Sequence, residues 1–304
     1  MKKHSEHRPF FYGGLILLQC FIWGVGNPIT KISVETIPPF YCMGIRFTLA
    51  FALFMLVFGH KIIPQFKKAY IPDCVVIGLF TAASFIFSTF ALHLTDATIV
   101  GFLLAFSVVF TPILSFFILK QKISGKFALI ILLVVVGLYF LCANGGSFTF
   151  GIGELMALLS ALAGAGMLIY SSKHVSDIGP LALSASQCAV TAAVSFFFAV
   201  IFEDVRDLSQ AAPEGWAAVI YLAVGCTCVA YILQNIALRK VSATFVSLAF
   251  CTEPVFTAIA AFFILGERLS PFGLAGALLI AVGIAMASLL PSSENDIAKK
   301  KDEQ

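Results

Sequence analysis

Residues Ala97–Gly137 read ATIVGFLLAFSVVFTPILSFFILKQKISGKFALIILLVVVG, and residues Ala243–Gly283 read ATFVSLAFCTEPVFTAIAAFFILGERLSPFGLAGALLIAVG. They align without a gap at a constant offset of 146. Ala97/Ala243, Thr98/Thr244, Val100/Val246, Val109/Val255, Phe110/Phe256, Thr111/Thr257, Ser124/Ser270 and Gly137/Gly283 are identical pairs, as are Phe116–Leu119 and Phe262–Leu265. Upstream, Ala91-Leu92 faces Ala237-Leu238. An internal repeat sets the architecture before any single residue is weighed. Five hydrophobic spans separate the copies, and a duplicated unit with an odd number of spans must enter a membrane in opposite senses. That makes an inverted repeat, the arrangement by which secondary transporters obtain two alternately accessible states.

Composition places the repeat in a membrane. Of the 304 residues, 60% are hydrophobic and 12% charged; a soluble domain carries about 25% charged residues. Apolar runs of the length needed to cross a bilayer as helix, about 20 residues, recur at 11–32, 40–59, 71–92, 96–119, 125–143, 152–173, 179–202, 215–238, 243–265 and 270–290. All ten are expected to be helices, because lipid offers no partner to free backbone groups. A membrane barrel needs alternating apolar and polar residues, and runs such as Ile130–Val136 do not alternate. The expected fold is therefore all-α, ten transmembrane helices in two inverted five-helix repeats, at 10–146 and 147–290, with short tails at 1–9 and 291–304.

Lysine and arginine set the orientation. Fifteen fall on one side of the predicted topology and three, Lys31, Arg206 and Arg268, on the other; Arg46 lies inside a span. The positive-inside rule then makes both tails cytoplasmic. The net charge of +3 records this topology and carries no suggestion of nucleic acid. Lys2, Lys3 and Arg8 ahead of an apolar run resemble a signal peptide, but the run reaches Ile32 without a small-residue cleavage site and reads as an uncleaved first span.

Several chemistries lack their residues. Ser124-Gly125-Lys126 is followed by Phe127 and has no leading glycine, so no phosphate-binding loop is present. The histidines are scattered at tails and span ends, and no nucleophile is found with a base in reach. The eight cysteines show no metal-ligand spacing and read as packing residues; Cys226 and Cys228, two apart on a helix, point to different faces. An enzyme is not expected, and neither is a cofactor or a metal.

Trp23-Gly24 followed by Asn27, Lys31 and Arg46 resembles the first two spans of the drug/metabolite transporter superfamily, EamA branch. Glu253-Pro254-Val255-Phe256, then Leu265-Gly266-Glu267-Arg268-Leu269-Ser270, is similar to the family's most recognisable stretch. The resemblance covers about residues 10–290. It implies export of amino acids, other small metabolites or drugs across the cytoplasmic membrane. The first copy departs from the pattern. It has Lys120-Gln121-Lys122 where the second has Gly266-Glu267-Arg268, and Ser107-Val108 where the second has Glu253-Pro254.

The residues suited to substrate binding are the polar groups at mid-depth. Glu253 comes first: a carboxylate inside a span must face water or a partner or be protonated, and Pro254 beside it frees backbone carbonyls. A structural Glu that positions the proline break is the alternative. Arg46 can anchor an anionic group, pair with Glu35 or Asp96, or reach toward the outer headgroups. Trp23 and Asn27 share a helix face, with Gly24 and Gly26 allowing close approach of another helix. Gln234 and Asn235, with Tyr231 on the face of Asn235, and Tyr170 complete the candidate cavity lining; taken alone, each is more often an interhelical hydrogen bond. Small residues at Gly273, Ala277, Ala281 and Ala285 form a stripe that can dock within the protomer or against a second copy. Expected partners are a small-molecule substrate, protons, membrane lipids and a second copy of the chain. Two other readings fit the same scaffold: a membrane-embedded lipid-handling enzyme, and a non-transporting accessory subunit.

Overall fold

The computed structural model describes residues 8–120, 125–142, 151–266 and 271–289. Lys122, Glu267, Arg268, residues 1–7 and the second tail lie outside the described residues, as do the side chains of Ala277, Ala281 and Ala285. All regular structure among the described residues is helical. The chain runs α1 (Arg8–Val34), α2 (Pro39–Ile62), α3 (Ile71–Leu94), α4 (Ala97–Leu104), α5 (Ser107–Leu119), α6 (Gly125–Cys142), α7 (Ile152–Ile178), α8 (Pro180–Phe202), α9 (Pro213–Tyr221), a π-helical segment (Leu222–Val229), α10 (Ala230–Leu238), α11 (Ala243–Ala249), α12 (Glu253–Leu265) and α13 (Pro271–Leu289). Among the described residues, seven stretches are long and apolar enough to cross a membrane: α1, α2, α3, α7, α8, the continuous run Pro213–Leu238 and the run Ala243–Leu265. The other three expected spans hold shorter apolar helices, with α4 and α5 separated by an interruption at Ala105–Phe106.

Local chemistry sets the helix ends. Pro39, Pro180 and Pro213 each open a helix, where a missing N–H costs nothing. Glu203, just past α8, accepts from the Phe40 and Tyr41 N–H groups at 2.7 and 2.8 Å and so caps α2 from another helix. Burial raises the pKa of this carboxyl, and the two N–H bonds pull the other way. Both α5 and α12 end in a left-handed residue, Lys120 (φ 54°) and Gly266 (φ 73°), at corresponding positions of the repeat.

Contacts between helix ends divide the bundle into two halves. At the far end, Gly215 at the start of α9 meets Thr36 and Ile37 just past α1, Gly153 at the start of α7 meets Leu94 and Thr95 just past α3, and Glu203 meets the start of α2. At the near end, Gly13 of α1 meets Phe245 of α11, Gly179 between α7 and α8 meets Gln65 just past α2, and His174 of α7 pairs with Asp73 of α3 at 3.6 Å. Thus α1 and α7 run antiparallel, and so do α2 and α8. The near half is filled by buried apolar side chains, among them Ile16, Phe54, Ile62, Ile77, Ile178 and Leu238.

Glycines set the closest helix contacts. A Cβ on Gly137 of α6 would lie 2.9 Å from the Gly276 carbonyl oxygen and 3.0 Å from Ile280 of α13; one on Gly283 of α13 would lie 2.5 Å from Val134 of α6. Gly137/Gly283 and Val134/Ile280 are pairs at the repeat offset, so the contact is reciprocal.

Candidate functional site

Between α1, α3, α4, α7, the π segment and the α11/α12 junction lies a cavity; the space free of protein atoms in it and at its mouth, open solvent included, is about 840 Å³. Its lining comes from the middle and far parts of the helices: Trp23–Thr30 of α1, Ser84–Leu92 of α3, Ser160–Leu168 of α7, and Leu222 and Cys226 of the π segment. The α11/α12 junction supplies Phe250, Glu253 and Pro254.

A proline marks that junction. Pro254 sits in the first turn of α12, Phe250–Thr252 form a 3-10 turn before it, and Glu253 starts the new helix. The helix irregularity expected beside Glu253 is therefore present. The corresponding break between α4 and α5 occurs where Val108 replaces the proline, so proline is not its cause there. The Glu253 carboxylate accepts from Asn27 Nδ2 at 3.0 Å, and the same amide nitrogen donates to Thr257 Oγ1 at 3.0 Å. Gly24 makes this reach possible. A Cβ there would lie 2.5 Å from Phe256 Cβ, 2.9 Å from the Thr257 nitrogen and 3.0 Å from the Glu253 carbonyl oxygen. Gly26 does the same against Cys226 of the π segment. Both glycines serve the close approach their positions suggest.

The π segment positions two more groups. Passing from five-residue to four-residue hydrogen bonds leaves one carbonyl over. The Ala230 N–H bonds the Gly225 and Thr227 carbonyls and passes over that of Cys226, which accepts from Trp23 Nε1 at 2.7 Å. Thr227 donates to the Leu222 carbonyl five residues back at 3.0 Å and accepts from Arg46 Nε at 2.8 Å. Cys226 bonds the Ile22 carbonyl and Cys228 the Ala50 carbonyl, on different faces as expected. Arg46 also lies over the rings of Phe47 and Phe85, at 5.4 and 5.0 Å. It pairs with neither Glu35 nor Asp96; Asp96 instead faces Lys31 at 3.8 Å.

The structure thus brings Trp23, Asn27, Arg46 and Glu253 to one cavity. It does not bring Gln234, Asn235 and Tyr170 there. Gln234 accepts from Gln19 at 2.8 Å, and Asn235 donates to Ser184 and Gln187, each at 2.9 Å, in the closed near half. Tyr170 packs on Phe80 and His174. Helical periodicity places a residue on a face but does not say at which depth the bundle is open. Ser84, Ser88, Thr89 and Ser160 line the cavity and were not foreseen. Hydroxyls are common in membrane helices and satisfy themselves on their own backbone, so they send little signal.

The EamA-like transporter family profile matches this chain twice, over residues 11–143 and 151–289. An uncharacterized transporter of Archaeoglobus fulgidus is 27% identical over 274 residues, covering 90% of this chain and 84% of its own length. The uncharacterized transporter YcxC of Bacillus subtilis is 26% identical over 300 residues and covers 95% of each chain. One crystal structure superposes with a TM-score of 0.75 over 94% of this chain and 98% of its own, at 20% identity, a likeness of fold.

Proposed function

The chain belongs to the EamA-like transporter family, and from that premise we propose that it is a ten-span secondary transporter exporting small metabolites (amino acids or related compounds) or drugs by alternating access. The observation that carries this reading is the cavity lined by both halves of the chain, which extends from mid-depth toward one end of the bundle. On this reading α4 with α5, α6 and α13 are the fourth, fifth and tenth spans. Lys61, Lys67, Lys68, Lys173, Arg239 and Lys240 border the near end, which is then cytoplasmic. The cavity is accordingly displaced toward the outside of the cell membrane.

An inverted two-fold relation is supported by contacts that repeat with the halves exchanged. Arg46 and Gln187 are each the eighth residue of a helix that opens on proline, α2 or α8. Arg46 bonds Thr227, and Gln187 bonds Thr81 at 3.2 Å; Thr81 and Thr227 are an offset pair. Two further offset pairs touch each other, as residues on a two-fold axis must. Phe85 and Tyr231 have ring centroids 6.1 Å apart, and Cys251 Sγ lies 3.9 Å from the Ala105 carbonyl oxygen.

The closed half supports alternation. Gln19 Oε1, Thr111 Oγ1, Ser115 Oγ, Ser171 Oγ and Asn235 Oδ1 are buried there without a protein partner, while Thr36, Thr191 and Ser195 are such groups elsewhere in the bundle. Each such group costs about 1–3 kcal/mol. Gln234 and Asn235 are the repeat counterparts of Ser88 and Thr89, which line the open half. The near half therefore reads as the collapsed wall of a second cavity, whose polar groups meet water when the bundle tips the other way.

Glu253 is the group best placed to couple that motion to protons or to a cationic part of the substrate. With purified protein in liposomes, Glu253→Gln is expected to abolish transport driven by a pH gradient. Gradient-driven transport at the wild-type rate in that variant removes Glu253 from the mechanism.

A further inference from the structure

We infer that Arg46 is the seat for the carboxylate of an organic monoacid, which makes compounds with one carboxylate on an apolar body the class this cavity takes; the transport of that class rests on the reading above. Arg46 is 3% exposed and its guanidinium is always charged. A buried cation without a counter-charge is expensive. Among the described residues the ion pairs are Lys31–Asp96 and His174–Asp73, and neither includes Arg46. Glu253, on the same cavity wall, turns to Asn27 instead.

Protein groups engage one part of the guanidinium and leave the rest. Nε is held by Thr227, whose hydroxyl is itself anchored on the Leu222 carbonyl. The flanking rings of Phe47 and Phe85 limit where the group can swing. The two Nη nitrogens, with four N–H bonds, have no acceptor among the described residues, on a side chain that lines the cavity.

The repeat supplies an internal control. Gln187, the counterpart of Arg46 by position in its helix rather than by the 146 offset, makes the matching bond to Thr81 and stays within the protein, its Oε1 accepting from Asn235 at 2.9 Å. A glutamine is thus enough to join two helices at this position. What Arg46 adds over its counterpart is a positive charge and a free fork of donors, and both are on the cavity side.

A flat anion with two oxygens matches that fork with two parallel hydrogen bonds. A second negative charge on the ligand would share the cavity with Glu253, so one carboxylate fits better than two. Trp23, Phe85, Leu168 and Phe250 supply apolar wall for the rest of the molecule.

The test begins with the wild-type protein in detergent. Melting temperature is measured with a panel of monocarboxylates, from short branched acids to 3-phenylpropionate and phenylalanine, each against its primary amide. The acids are expected to raise the melting temperature and the amides to do so far less. Amides that match their acids, or a panel in which no acid shifts the wild type, overturn the assignment. In Arg46→Gln, which restores the residue found at the counterpart position, acid affinity is expected to fall about 30-fold or more; unchanged affinity also overturns it. Should that variant not fold, the acid–amide comparison on the wild type still decides. Arg46-dependent acid binding with no flux in liposomes keeps the carboxylate seat and sinks the transport reading. Flux that ignores Arg46→Gln does the reverse.

Discussion

At the scale of single residues, the repeat makes each position legible against its counterpart. Lys120 holds the left-handed backbone that Gly266 holds in the second copy. A side chain there costs about 1–2 kcal/mol, which glycine avoids. Lys120→Gly is therefore expected to stabilise the protein by about 1 kcal/mol, read as a higher melting temperature in detergent. No change would mean that Lys120 makes a compensating contact. Glu253 and Ser107 form another such pair, and both line the cavity. The acid stands out in the sequence because a carboxylate inside an apolar span is rare. Its attachment to Asn27, 226 residues away, has no sequence signal, since the bond depends on how α1 and α12 lie against each other.

At the scale of elements, the helices that matter most are the irregular ones. The π segment leaves a carbonyl for Trp23 and places Thr227 under Arg46. No proline marks it; Gly225, Cys226 and Thr227 are permissive of such a segment and do not announce it. The Pro254 junction is the opposite case, visible from the sequence because proline cannot donate. The approach of α1 to α12 is also foreseeable from Gly24, and it has a direct test. Gly24→Ala drives a methyl into α12 backbone and is expected to cost about 1–3 kcal/mol, while drawing Asn27 away from Glu253. Gly14→Ala, where nothing lies within 4 Å, is the control and should leave the melting temperature within a degree or two. If the two substitutions are equally mild, α1 and α12 pack less tightly than these distances state.

At the scale of the whole molecule, the proposal stands on opposed halves. Lys122 and Arg268 occupy equivalent loops of the two copies. Replaced singly by cysteine in a background free of the native cysteines, they are expected to react with a membrane-impermeant maleimide from opposite sides. Labelling from one side would end the inverted-repeat assignment and the export mechanism built on it. The buried native cysteines, Cys20 and Cys251 among them, should stay unlabelled in the folded protein.

The sequence alone determined the helical membrane class, the doubling and the residues worth watching. Each of these is a one-dimensional property: hydropathy over a span length, identity at a constant offset, a charge or proline inside an apolar run. The tertiary structure decided which polar groups share the cavity. Trp23, Asn27, Arg46 and Glu253 do, while Gln234, Asn235 and Tyr170 are packed in the opposite half. The physical reason is that hydropathy, offset and residue type do not say how the helices lie against one another, and that arrangement settles which polar groups face the cavity and which are packed away.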